Sequence, residues 1–575
     1  MFLNPILATD FYKIGHKDQY PDGTEVIYSN FTSRSDRLAM KSSGYPGGVV
    51  FAGLQAFIKW FLMHHFQHAF FDCPREMVVG EYKRVIDKAL GVDFDATHIG
   101  ELWDLRYLPL EIKALPEGSI VPCKVPVLTV KNTNPKFFWL TNYFETAMSA
   151  ELWKFINNAT IAFQYRAILE YWADKTGSPL DFVLWQGHDF SMRGMSGVCD
   201  SALNGVAHLM LFLGTDTIPA INSAELYYNA IDSFVGGSVP ASEHSVMCAG
   251  GQDGEVETFR RLLKKYPTGV VSIVSDTWDF WNIVTNTAKE LKDEIMNRQP
   301  NAVGLAKTVF RPDSGDPVEI LCGVEIPNAE SLEEAEEILK DLTDWEEGEC
   351  FGPDTAKGLF RIDGEVFEVV VEPEWNRHDK RFYYIDGWYP TKSKKVELTP
   401  AQKGAVECLW EIFGGTVTDK GYKLLDSHVG LIYGDSITLE RAEKIMERLA
   451  AKGFASANVV LGIGSYTYQY STRDSFGQAM KATYAVVNGE GRELFKDPVT
   501  DSGTKKSAKG LLKVSLDSEG KYFLEDQVTP EQEAEGCLRT VYKDGNLLVD
   551  ESLDEIRQRL NAEVQKQVQK MKSKA

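Results

Sequence analysis

The chain is 575 residues long, 43% hydrophobic and 25% charged; these are globular proportions, with room for about three or four folding units, and they exclude a disordered or fibrous chain. A formal net charge of −22 argues against a nucleic-acid-binding surface or docking on anionic membranes, although screening over about 8 Å leaves a local basic pocket free to take a phosphorylated small molecule. No run approaches 18 apolar residues, no basic region precedes the first apolar stretch, and the eight cysteines form no CxxC pair, so the expectation is a cytoplasmic protein without membrane span, secretory signal or structural zinc.

In chain order, residues 1–175 begin with strand-rich patterning that includes a hairpin signal, GTEVIYSNFTSR (23–34). An apolar stretch at 137–171 fits this unit or the next equally well. Residues 176–321 carry four apolar runs that read as buried strands, each ending in a cluster of Gly, Asp, Ser, Arg or His: FVLWQGHDFSMRG (182–194), HLMLFLGTDT (208–217), VVSIVSDTWD (270–279) and KTVFRPDSGDP (307–317). Amphipathic helices are predicted at 257–266 and 281–296. Residues 322–399 change character, with an acidic helical run SLEEAEEILKDL and strand pairs turning at Asp363-Gly364 and Asp386-Gly387, which predicts an inserted small α+β module. Residues 400–475 resume the earlier rhythm with GLIYGDS (430–436), a helix at 438–452 and NVVLGIGS (458–465). Residues 476–575 hold hairpin signals at 482–497 and 541–550 and a terminal helix at 553–572.

Strands alternating with helices predict an α/β fold with a parallel sheet, and polar clusters at the strand ends favour a (β/α) barrel over a doubly wound open sheet. The two flanks should build one antiparallel, β-rich α+β domain, closed by the terminal helix.

Four constellations carry chemistry. Strand-end acids Asp216, Asp276, Asp313 and Asp435 can ligate Mg²⁺, bind ribose hydroxyls or act as acid and base, and each can equally cap a helix or form a turn. Basic residues Arg473, Lys481, Lys496, Lys505, Lys506 and Lys509 follow LGIGS, where Gly462 and Gly464 would let backbone N–H groups approach a phosphate; the lysine-rich part can also be a solvated loop. Phe190 and Tyr12, with Arg193 and Arg311 as cations, could stack a flat heteroaromatic ligand, unless Phe190 is core. His244 in SVPASEHS is a general base, a phosphoryl acceptor or a structural hydrogen-bonder.

The order and wording of nine segments resemble the nicotinamide phosphoribosyltransferase family: ATDFYKIGHKDQYP (8–21), HDFSMRG (188–194), GTDT (214–217), SVPASEHS (238–245), VSDTWD (274–279), RPDSGDP (311–317), YGDS (433–436), STRD (471–474) and VNGEGRELFKDPVTD (487–501). The resemblance implies a type II phosphoribosyltransferase: a barrel, a sheet domain from both termini, and a homodimer with active sites at the interface. The implied reaction joins nicotinamide to phosphoribosyl pyrophosphate with Mg²⁺, releasing pyrophosphate. Phe190 and Tyr12 of the partner subunit would sandwich the pyridine. Asp216, helped by Ser238 and Ser272, would meet the amide. Arg193 and Arg311 would face the phosphoribosyl and pyrophosphate groups, Asp313 and Asp435 the ribose and metal, and Gly434, Gly464, Ser465 and Arg473 the phosphate. Lys481, Lys496 and Lys505 would meet the pyrophosphate or nucleotide end. His244, beside Asp276, would be the histidine phosphorylated by ATP, a coupled activator. The chain departs from the family pattern at Ser465, Ala479 and Met192. The same fold acting on nicotinate, or a non-catalytic binding or signalling protein, are the alternatives.

Overall fold

The computed structural model describes residues 3–341, 356–371, 374–378, 381–383, 392–434, 436–495 and 508–574. Two large sheets organise it. In the first, strands Gly187–Asp189, Gly214–Thr215, Val271–Val274, Thr308–Arg311, Val429–Tyr433 and Val459–Ile463 lie parallel. Across the sheet they run in the order 214, 187, 459, 429, 308, 271. They are short and buried almost throughout, and the four longer ones are largely apolar, as strands covered on both faces must be. Residues 237–242 link the two edges of this sheet. Thr215 N donates to Gly237 O at 3.0 Å, Ser242 N to Ser272 O at 2.9 Å and Ser272 N to Pro240 O at 2.9 Å. Helices pack outside, among them Val198–Leu209, Glu255–Lys265 and Leu439–Ala451. The C-terminal ends of the strands are thereby gathered at one mouth.

The first two apolar runs correct the sequence reading. FVLWQ lies in helix Leu180–Gln186 and HL ends helix Val198–Leu209, so their strands begin only at Gly187 and Gly214. A short apolar run that is buried all round carries no period to separate helix from strand. The helix expected at 281–296 is broken into Phe280–Asn282, a wide-turn segment Ile283–Thr287, Ala288–Glu290 and Lys292–Met296. GTEVIYSNFTSR is one strand, Thr24–Thr32, not a hairpin.

The second sheet is built from both chain ends, in the order Glu490–Glu493, Ala479–Val487, Thr24–Thr32, Pro126–Asn132, Leu110–Ala114, Arg539–Lys543, Asn546–Leu547. Its two C-terminal hairpins turn at Asn488-Gly489 (φ 53° and 75°) and Asp544-Gly545 (φ 50° and 83°), the left-handed pair that a tight hairpin requires. Helix Glu145–Thr176 joins the sheets. Its first half (Met148, Leu152, Ile156) packs in the antiparallel-sheet core and its second (Ala159 to Ala173) in the parallel-sheet core, so no boundary falls cleanly at 175. The terminal helix Leu553–Lys574 lays Leu553, Ile556, Leu560, Val564 and Val568 into the parallel-sheet core, against Glu145–Thr176, and does not close the antiparallel sheet as expected.

The insertion has a small core of its own, in which helix Leu332–Asp341 covers strands Ala356–Ile362 and Glu365–Val371 through Ala335, Leu339, Phe360 and Val369. The turn at Asp363-Gly364 is present, while Asp386-Gly387 lies outside the described residues. The chain leaves the α/β unit at Gly323 and returns at Gly404, two backbones so close that a Cβ on Gly404 would lie 2.2 Å from Gly323 N. Among the described residues, no helix is long and apolar enough to cross a membrane.

Candidate active site

Three segments meet around Asp216, directly after strand Gly214–Thr215. His188 Nε2 lies 2.9 Å from its Oδ1, and Ser238 Oγ donates to the same oxygen at 2.5 Å. A carboxylate oxygen only accepts, so Nε2 carries the proton. Burial works against charge on Asp216, but the hydrogen bonds from His188 and Ser238, then the positive charge that His188 carries when doubly protonated and that of Arg311, outweigh it and hold the carboxyl below its ordinary range. The pocket therefore presents an ionised carboxylate. Phe190 lies beside this group, its ring 4.6 Å from that of His188. Beneath it is Gly462, where a Cβ would sit 2.8 Å from the Phe190 ring and 2.4 Å from Tyr433 O. Gly462 is thus a floor for Phe190, in place of the phosphate approach expected of it.

The RPDSGDP loop forms the second half. Asp276 Oδ2 accepts from Asp313 N (3.0 Å), Ser314 N (3.0 Å) and Ser314 Oγ (2.6 Å), which ties the loop to the end of strand Val271–Val274. Its Oδ1 faces His244 Nε2 at 3.3 Å, and Asp313 Oδ1 lies 3.8 Å from the same nitrogen. Burial raises Asp276, yet the donors from Ser314 and Asp313 win and leave it low. Asp313 moves the other way, raised by burial and by the charge on Asp276. The pair thus holds one firmly ionised carboxylate, Asp276, and one, Asp313, whose charge is the costlier of the two and is eased by a nearby cation. Arg311 is anchored by donating to Ser242 O, and Ser242 Oγ accepts from Val274 N at 2.9 Å.

The remaining expected residues divide between two regions. Ser272 is buried on strand Val271–Val274, its hydroxyl without a hydrogen-bond partner among the described residues. A Cβ on Gly434 would meet Asp313 at 3.3 Å and Arg311 at 3.6 Å, so both side chains cross it. Ser465 follows Gly464 at the start of helix Ser465–Gln469, its hydroxyl packed where a Cβ on Gly194 would be, beside the turn Met192–Gly194 that carries exposed Arg193. Arg473 is exposed and pairs with Asp474 at 3.3 Å. Lys481 sits elsewhere, on antiparallel strand Ala479–Val487, lining a cavity of about 460 Å³ with Arg34, Glu145 and Phe495. Tyr12 is 60% exposed in the turn Phe11–Lys13, edge-on to His16 and under the ammonium of Lys13. Among the described residues no ring contact joins Tyr12 to Phe190, so one chain does not bring the two aromatics together. Asp435, Lys496 and Lys505 lie outside the described residues.

Sequence reasoning passed over His188, Ser242 and Ser314. His188 stands two residues before Phe190 in HDF, and residues two apart on a strand share a face. That register was the available signal.

The chain is similar to known proteins over most of its length. Residues 185–546 match the Nicotinate phosphoribosyltransferase (NAPRTase) family, and residues 4–78 match the Nicotinamide phosphoribosyltransferase, N-terminal domain. A protein from Acinetobacter baylyi named nicotinamide phosphoribosyltransferase is 52% identical over 560 residues, 97% of each chain. A protein of the same name from Mycoplasma pneumoniae is 31% identical over 527 residues, 88% of this chain and 95% of that one. Among solved structures, human Nicotinic Acid Phosphoribosyltransferase aligns with a TM-score of 0.49 at 15% identity, covering 96% of this chain and 93% of that one.

Proposed function

The chain belongs to the nicotinate phosphoribosyltransferase family, and we propose that it is a nicotinamide phosphoribosyltransferase, an enzyme of NAD salvage that converts nicotinamide and phosphoribosyl pyrophosphate to nicotinamide mononucleotide and pyrophosphate. The observation that carries the choice of substrate is Asp216, kept ionised by His188 and Ser238 beside the flat ring of Phe190. An ionised carboxylate accepts from an amide N–H and repels a carboxylate. The sheet linked across its edges by 237–242 is read as the barrel of type II phosphoribosyltransferases, with the substrates at its mouth.

In the reaction the bond from ribose C1 to a pyrophosphate oxygen breaks and the bond from C1 to the pyridine nitrogen forms. No protein nucleophile is needed and no proton moves. Positive charge grows on C1 as the leaving group departs, and Asp276 and Asp313 supply fixed negative charge at the same mouth. Arg311, steadied by Ser242, and Arg193 orient the anionic groups. Among His244, Asp276 and Asp313, whose ligand atoms lie within 4.8 Å of one another, Asp313 best fits Mg²⁺: the ion takes oxygen ligands, Asp276 Oδ2 already accepts three hydrogen bonds, and the raised Asp313 carboxyl calls for a cation. Bound there with the substrate's diphosphate, Mg²⁺ would neutralise the leaving group. His244 is read as the residue phosphorylated by ATP, with Asp276 orienting its ring. The exposed Tyr12 is read as completing the ring sandwich in the second subunit of a homodimer.

The test is pyrophosphate release from phosphoribosyl pyrophosphate and Mg²⁺, with nicotinamide and nicotinate offered in parallel, with and without ATP. Turnover with nicotinamide alone is expected. Preference for nicotinate would overturn the substrate, and silence with both would favour a binding protein that keeps the fold.

A further inference from the structure

We infer that His188 is a specificity-determining residue: gaining a second proton, it cancels the charge of Asp216 and loosens the pocket's preference for an amide over a carboxylate. The inference rests on the reading of Asp216 as the partner of the ring substituent.

The geometry gives His188 one job it performs neutral and another it could perform charged. Its Nε2–H and the Ser238 hydroxyl both fill Oδ1 of Asp216, at 2.9 and 2.5 Å, which leaves Oδ2 to meet a ligand. The ring is held in place, tilted 38° against Phe190 and packed over Gly214, where a Cβ would lie 2.7 Å from His188 Nδ1. Among the described residues Nδ1 has no hydrogen-bond partner, so a second proton can be added there without breaking a contact. With one proton on His188 the pair carries a charge of −1 and repels a bound carboxylate. With two, the pair is neutral and the repulsion is gone.

The charged groups around the imidazole come from four elements. Asp216 follows strand Gly214–Thr215, and Asp189, on the histidine's own strand, is buried and accepts from Ser191 N and Thr215 Oγ1. Arg311 reaches Asp216 from strand Thr308–Arg311, and His208 lies nearby on helix Val198–Leu209. His208 cannot act as the switch. Its Nε2 lies 3.0 Å from Gly214 O and its Nδ1 2.7 Å from the Tyr468 hydroxyl, so both nitrogens are engaged, and burial holds it neutral. Histidine is the side chain that ordinarily changes charge between about pH 5 and 8.

The experiment measures kcat/KM for nicotinamide and for nicotinate from pH 5.5 to 8.5 and follows their ratio. Ionisations of phosphoribosyl pyrophosphate, Asp313 or His244 act on both substrates and cancel in that ratio, and nicotinate stays ionised throughout. The wild-type ratio is expected to fall about tenfold or more from the alkaline to the acid end, since one cancelled charge beside the ligand, screened at a side chain that is 43% exposed, is worth about 30-fold. His188→Gln keeps an N–H donor for Oδ1 but cannot gain a charge, so its ratio should stay flat at the alkaline level. A flat wild-type profile overturns the inference whether or not the glutamine variant folds, and so does a glutamine variant that keeps the wild-type slope. Asp216→Asn at pH 8 separates the two readings. If it collapses the ratio while the wild-type profile is flat, His188 alone is misread; if it leaves the ratio unchanged, the reading of Asp216 fails with it.

Discussion

Replacing Asp216 with Asn changes a charge and almost nothing else. Asn keeps an oxygen for His188 Nε2–H and Ser238 Oγ–H, so the 2.9 and 2.5 Å contacts and the position of Phe190 should persist. What goes is the repulsion between Asp216 and a ligand carboxylate. Two like charges about 4 Å apart repel by about 4 kcal/mol at an effective dielectric near 20. The Asp216 side chain is 43% exposed, so solvent screens about half of that, leaving about 2 kcal/mol, or roughly 30-fold. Initial rates of pyrophosphate release at pH 8 should therefore show the nicotinamide-to-nicotinate ratio of kcat/KM falling about 30-fold, chiefly through a gain with nicotinate. Nicotinamide should lose less than nicotinate gains, because the asparagine NH2 that replaces Oδ2 can donate to the carbonyl oxygen of the amide once the amide turns over. A variant with unaltered melting temperature whose ratio moves less than about threefold would refute the electrostatic account and leave shape as the source of selectivity.

Four further outcomes follow from particular contacts. In Gly462→Ala the new methyl would stand 2.8 Å from the Phe190 ring and 2.4 Å from Tyr433 O; overpacking should cost about 1–3 kcal/mol in a denaturant melt, and displacement of the ring should raise KM for nicotinamide. Ser272→Ala removes a buried hydroxyl with no partner among the described residues; the melting temperature should hold or rise while KM for nicotinamide increases, and a lower melting temperature with unchanged KM would make Ser272 purely structural. Glu255, raised to about 7 by burial and then by the charge of Asp279, binds its proton more tightly folded than unfolded, so its ionisation should erode stability as pH rises from about 4.5 to 7; Glu255→Gln should raise the melting temperature at pH 8 and leave it nearly unchanged at pH 4.5, and an equal gain at both would dismiss the mechanism. His244→Ala should bring the ratio of turnover with ATP to turnover without it to one, and a ratio equal to the wild type's would remove His244 from the coupling.

The elements legible in the chain are those whose signal is local. Val271–Val274, Thr308–Arg311, Val429–Tyr433 and Val459–Ile463 are apolar, largely branched runs that stop at polar or glycine residues. The hairpins at Asn488-Gly489 and Asp544-Gly545 rest on one residue pair each. What could not be read depends on partners far along the chain. Helix Glu145–Thr176 is buried on nearly every side through its middle because two cores share it, and that erases the stripe by which a helix announces which face is in. Helix Leu553–Lys574 does show a stripe, but a stripe says only that something covers it. Its cover is the earlier helix across the parallel-sheet core.

At the site the acids were legible because a carboxylate at a strand end in an α/β pattern is placed by topology alone. Their assignments were not, since charge depends on neighbours that spacing does not reveal. Asp276 is low because Ser314 and Asp313 N, 38 and 37 residues away, donate to it, and Asp313 is raised by its burial and by the charge on Asp276. Asp216 owes its charge to residues 28 positions before it and 22 after. Glycine misleads for the same reason. Gly462 reads as room for a phosphate, yet the space beside it is filled by Phe190, as the space beside Gly214 is filled by His188. These two glycines clear room for His188 and Phe190, the side chains proposed to meet the ring of the substrate, so a phosphate pocket must be sought where Cβ space is not already taken by the protein.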